Sequence, residues 1–132
     1  MTGVTVGLSG EMRVLVNSEN AINFLEMEEA RVLGTPFMIA YMEMTSRNLV
    51  KDHLEPGHDT VGTHVDVRHL AASPLGMPVR FRSEVIGVED RRIRFQVEAW
   101  DEKQKIGEGT HERAVIHVAR FASRVQAKLA GG

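Results

Sequence analysis

The chain has no cysteine. Disulfides, cysteine-bound zinc and thiol nucleophiles are thereby excluded. Neither sign of charge dominates: 16 basic less 18 acidic residues leaves a net charge of −2, so no overall basic field draws nucleic acid or an anionic membrane. No apolar run reaches the length of a membrane span. Residues 1–10 lack the basic region and apolar block of a secretory signal. No internal repeat or low-complexity stretch is present. The six histidines show neither HExxH nor a similar ligand spacing, which argues against a metal site. A cytoplasmic protein is expected.

What is there suits a globular protein. Hydrophobic residues make up 42% and charged residues 26% of 132 positions, enough to bury a core without staples. One domain over residues 1–132 is expected. Its first ten residues, rich in Gly and Thr, are read as loose. Residues 119–132 are read as a tail that forms a short helix up to Leu129.

Met12 to Val16 reads as a first strand, and residues 18–33 as a connector with Glu26, Glu28 and Glu29 clustered. Thr35-Pro36 is a helix start, with Thr as cap and Pro at the first helical position. The helix should run to Asp52 or His53, before Glu55-Pro56-Gly57. Four alternating stretches follow, at Thr60–Leu70, Val79–Val85, Ile93–Ala99 and Ile106–Val118. In the first, strict parity puts Val61, Thr63, Val65, Val67 and His69 on one face. One apolar helix and one curved antiparallel sheet bury each other if the sheet wraps the helix. This is an α+β arrangement, the hotdog fold. Its sheet leaves edges to protect, so a homodimer is expected.

Glu43 is the only charge in the run Pro36 to Met44. A carboxylate among apolar side chains is costly to keep ionised, and its pKa should rise toward the range of a general base or acid. The same residue on the solvent side of an amphipathic helix would do nothing of the kind. His69 falls on the face expected to look at that helix, where an imidazole is either a satisfied core group or a base beside Glu43. Thr35 is a cap, or the hydroxyl end of a Thr35–His69–Glu43 relay. Eight positions separate Thr35 from Glu43, about 12 Å of helical rise, too far for direct contact along a straight helix. The helix N-terminus beside Thr35 would stabilise negative charge developing on a carbonyl oxygen. Gly62 either relieves a bend or admits a ligand. Gly107 and Gly109 suggest a bulge. Arg113, deep in the last strand, needs an acidic partner.

Three blocks carry a resemblance. They are Gly34-Thr35-Pro36-Phe37-Met38 running on to Glu43; Leu54-Glu55-Pro56-Gly57 through Gly62-Thr63 to His69 and Ala71-Ala72-Ser73-Pro74; and the long Ile106-Gly107-Glu108-Gly109-Thr110-His111-Glu112-Arg113-Ala114-Val115-Ile116-His117. Together they resemble the fluoroacetyl-CoA thioesterase family of hotdog proteins over residues 33 to 125. The resemblance implies hydrolysis of an acyl-CoA by a catalytic set that falls on Thr35, Glu43 and His69. It also implies a glycine near the thioester carbonyl at Gly62 and an arginine near the substrate at Arg113. Coenzyme A then enters as part of the substrate, and no metal or redox cofactor is needed.

The family covers its site with phenylalanines just ahead of the helix. Here that stretch is Phe24-Leu25-Glu26-Met27-Glu28-Glu29, with Glu26 and Glu29 where rings would fall. The resemblance therefore leaves the acyl group open. A hotdog module that binds acyl-CoA without cleaving it is the alternative, although binding alone requires neither an isolated acid nor an inward histidine. A hotdog enoyl-CoA hydratase fits less well, since its Asp–His pair has no match before Asp52-His53 at the helix end.

Overall fold

The computed structural model describes residues 3–131. Strand β1 (Ser9–Leu15) is followed by a single 3-10 turn at Glu28–Ala30 and helix α1 (Thr35–Lys51). Strands β2 (His58–His69), β3 (Pro78–Glu89), β4 (Arg92–Trp100) and β5 (Lys105–His117) come next, and helix α2 (Val118–Leu129) closes the chain. The five strands form one antiparallel sheet in the order β1-β3-β4-β5-β2. Helix α1 packs against β1, β2, β3 and β4. This is the expected α+β hotdog fold.

The two-residue period of β3 and β4 produces it. Val79, Phe81, Ser83 and Val85 are buried, as are Ile93, Phe95, Val97 and Ala99, while their neighbours in sequence are not. Met38, Met42 and Val50 of α1 fill the space above that face. Fully burying side chains such as Phe81 or Phe95 stabilises the fold by about 1.5–3 kcal/mol each. Gly107 on β5 lets the helix approach: a Cβ there would stand 2.6 Å from the Met38 sulfur.

Several expectations need correction. Met1 and Thr2 of the N-terminal stretch lie outside the described residues, but the rest is not loose. Val4 is buried, Gly7 N–H donates to the Val85 carbonyl, and β1 already begins at Ser9. Within the C-terminal tail Gly132 also lies outside the described residues. The cap of α1 is Gly34, not Thr35, and no side chain caps it. The irregularity on β5 falls at Ile106, where the pairing with β4 shifts; Gly107 adjoins it and Gly109 sits in regular pairing with Val67 and Val97.

The correction with most consequence lies in β2. Its pairing with β5 is regular from His58 to Gly62 and again from His64 to His69, with a bulge between. One extra residue reverses side-chain parity. Thr60 and Gly62 therefore face the helix before the bulge, and Val65, Val67 and His69 after it. Strict parity had put Val61 and Thr63 there.

Candidate active site

Thr35 opens α1, and because Gly34 takes the capping position its hydroxyl is free for another partner. That partner is His69 at the end of β2, whose Nδ1 lies 2.8 Å from Thr35 Oγ1. The other ring nitrogen, Nε2, is buried with no hydrogen-bond partner among the described residues. An imidazole nitrogen left without a protein partner is open to a ligand or a water. Both residues line an open cleft of about 360 Å³ with Ile22, Val32, Leu33, Leu70, Ala71 and Ala72. A hydroxyl, an imidazole and a helix N-terminus thus meet at one apolar cleft, the groups needed to activate a nucleophile and hold an oxyanion.

Glu43 stands two turns further along α1. Its side chain is 39% exposed, so it is not the enclosed acid its apolar run suggested. No hydrogen bond joins it to His69 among the described residues. Of the expected relay, the Thr35–His69 half is formed within the chain and the Glu43–His69 half is not. Glu43 Oε1 instead meets Arg113 Nη1 at 3.4 Å. The acid that Arg113 needed is therefore the candidate catalytic one.

Arg113 is buried to 5% exposure on β5. Its Nε donates to Thr60 Oγ1 at 2.7 Å and its Nη2 to the Thr60 carbonyl at 2.9 Å. Burial pushes its guanidinium pKa down, and Glu43 opposes this; an arginine stays charged regardless. Gly62 completes the cluster. A Cβ there would collide with Glu43 Oε1 and press on His111 and Arg113. A glycine is thus required for Glu43 to lie where it does, a different reason from a simple bend.

His111 escaped the sequence reading. It is 1% exposed and stacks on Phe95. Its Nε2 lies 3.2 Å from Arg113 Nη1 and 3.9 Å from Glu43 Oε1. The signal was available: residues 111 and 113 share one face of a strand, so an inward Arg113 implies an inward His111.

The fluoroacetyl-CoA-specific thioesterase family matches residues 16–119, a span that holds all the residues above. The chain belongs to this family. It is of the thioester hydrolase class. A fluoroacetyl-CoA thioesterase of Streptantibioticus cattleyicolor is 41% identical over 109 residues, covering 83% of this chain and 77% of that protein. A solved structure of the fluoroacetyl-CoA thioesterase FlK superposes with a TM-score of 0.86 at 36% identity, over 96% of this chain and 98% of that one. A hypothetical protein of Thermus thermophilus, described as a thioesterase superfamily member, superposes with a TM-score of 0.87 at 26% identity over the full length of both.

Against that family, the segment ahead of the helix is informative in this thioesterase. Leu25 and Glu26 adopt positive φ, and Phe24, Leu25 and Met27 are exposed. Residues 24–29 contribute nothing to the cleft lining; Ile22, Val32 and Leu33 do. Arg31 ties this region down by donating to the Ser18 and Ala21 carbonyls.

The site also makes stability depend on pH. Burial pushes the pKa of His69 below its ordinary value, opposed by the Ala71 backbone. It does the same to His111, opposed by the His64 carbonyl. The unfolded chain then binds protons before the folded one as pH falls. Stability that is complete above roughly 6.5 is lost as pH falls through the lowered folded values. Thermal unfolding followed by circular dichroism should show a Tm that declines from pH 7 to pH 5; an unchanged Tm over that interval would refute it.

Proposed function

We propose that this chain is an acyl-CoA thioesterase whose catalytic set is Thr35, Glu43 and His69, with Gly62 and Arg113 bordering the substrate beside Glu43. The observation that carries the reading is the 2.8 Å contact between Thr35 Oγ1 and His69 Nδ1 at the mouth of an apolar cleft. His69 acts as base toward the Thr35 hydroxyl or toward water. The positive end of the α1 dipole, with the Thr35 N–H as its one donor not spent within the first turn (Pro36 has none, and Phe37 and Met38 donate to the Gly34 carbonyl), stabilises the oxyanion. Helical side chains lean toward the helix N-terminus, which shortens the 12 Å or so of rise between Thr35 and Glu43. A thioester set in the remaining gap meets the imidazole from one side and the carboxylate from the other. None of these steps calls for a metal or redox cofactor.

A homodimer belongs to the proposal. Strand β2 is twelve residues long, lies at the sheet edge and is exposed from Gly62 to Asp66. An uncovered edge of that length is a template for pairing. Two copies joined along β2 would continue the sheet and bring each chain close to the other's Gly62 and Glu43. Light scattering that returned the mass of one chain, 14.7 kDa, would exclude it.

The test of function is thiol release across a panel of acyl-CoAs. Release from some members is expected; tight binding with no release from any would favour a binding module instead. The panel also tests selectivity. Fluoroacetyl and acetyl groups differ little in size, and an apolar pocket separates such groups by roughly 10–200-fold. With Phe24 outside the cleft and Glu26, Glu28 and Glu29 preferring water, the entrance stays wet. The ratio of kcat/KM for fluoroacetyl-CoA over acetyl-CoA is expected below about 100, with some other acyl group preferred. A ratio above ten thousand, roughly 5 kcal/mol, would show that selectivity needs no aromatic cover.

A further inference from the structure

We propose that His111 is a positioning residue for this hydrolysis, which through Arg113 sets the direction in which Glu43 faces the substrate. The inference rests on the reading of Glu43 as part of the catalytic set.

Two contacts define the state of the ring. Nδ1 lies 2.8 Å from the His64 carbonyl oxygen, which only accepts, so Nδ1 carries the proton. Nε2 lies 3.2 Å from Arg113 Nη1, which only donates, so Nε2 is bare. Both contacts demand the same neutral tautomer. In that tautomer the 3.9 Å approach of Nε2 to Glu43 Oε1 is not an ion pair. His111 reaches Glu43 through the guanidinium.

Arg113 is held from two sides. Thr60 takes Nε and Nη2 through its hydroxyl and carbonyl oxygens. At the other end Nη1 has two hydrogens, one directed to His111 and one to Glu43. Removing the acceptor at His111 frees Nη1 to tilt, and leaves a buried N–H without a partner. Glu43 is the only member of the group with substantial exposure, so it has room to follow. Phe95 and the His64 carbonyl hold the imidazole itself. The chain of support runs from the sheet through His111 and Arg113 to a half-exposed carboxylate. A displacement of about 1 Å at a reacting group costs on the order of a hundredfold in rate.

Three variants separate position from packing. His111→Phe keeps the shape and the stacking but neither polar contact. His111→Asn retains reach to the His64 carbonyl but not to Arg113. His111→Gln places an amide oxygen near the site of Nε2, where it can accept from Arg113. With the acyl-CoA that the wild-type protein cleaves best, kcat should fall about 10–100-fold in the Phe and Asn variants. KM should stay within about threefold, and Gln should restore most of the loss. Normal kcat in folded Phe and Asn variants would overturn the proposal, as would Gln performing no better than Asn. Melting curves of all three show which variants are folded. A measurement independent of activity is the imidazole nitrogen spectrum of the wild-type protein, assigned through His111→Gln. A neutral ring protonated on Nδ1 is expected, and an Nε2-protonated ring would overturn the clamp. Absence of thiol release from every acyl-CoA would instead defeat the catalytic reading of Glu43, even with the expected tautomer present.

Discussion

His69→Ala should lower kcat for acyl-CoA hydrolysis by at least about 100-fold, the usual size of a lost general base. Two features of the ring make the expected loss large. Its Nδ1 sits 2.8 Å from Thr35 Oγ1, within reach for direct proton transfer. Its Nε2 makes no hydrogen bond among the described residues, so the ring's one side-chain hydrogen bond is the contact with Thr35. A core histidine of purely structural role would show the opposite pattern. Removing His69 should therefore affect turnover far more than folding. Near-normal turnover in a folded His69→Ala protein would remove the mechanism, and Thr35→Ala supplies an independent check on the same pair.

The second large effect is expected at Gly62. A methyl group there collides with Glu43 Oε1. The carboxylate is the far end of a flexible side chain, so it swings away and the backbone does not distort. Gly62→Ala should cost about a hundredfold in kcat while shifting Tm by only a few degrees. Glu43→Gln should cost at least as much, because the amide has no basic oxygen. If Gly62→Ala acts through Glu43, the double variant should be no slower than Glu43→Gln alone, since groups acting as a unit are not additive. Kinetics of the two single variants and the double variant decide this. Losses that multiply would assign Gly62 a separate role, such as admitting the substrate.

Some of this was legible from residue order and some was not, for identifiable reasons. The strands of β3 and β4 follow from a period of two that continues without interruption from Val79 to Val85 and from Ile93 to Ala99. Helix α1 begins where Thr35-Pro36 said it would and ends at Lys51, just before the expected Asp52 or His53. Strand β2 shows where such reading fails. A bulge leaves no reliable trace in one sequence, yet that between Gly62 and His64 reverses the facing of everything before it. His69 was placed correctly because the strand is regular beyond the bulge, whereas Val61 and Thr63 were placed on the wrong face.

The sequence by itself determined the class of fold, the acid and imidazole worth testing, and the absence of thiol chemistry. These depend on composition and on periodicity within single elements, which neighbouring residues specify. Only the tertiary structure decided which groups meet. It took the Thr35 hydroxyl away from capping and gave it to His69, 34 positions on. It gave Glu43 to Arg113, 70 positions on, and not to His69. It brought His111 into the cluster by pairing β5 with β2 and setting Glu43 of α1 within 3.9 Å of the imidazole. Such pairings depend on register between distant strands and on one unpaired residue in β2, and no local propensity encodes either.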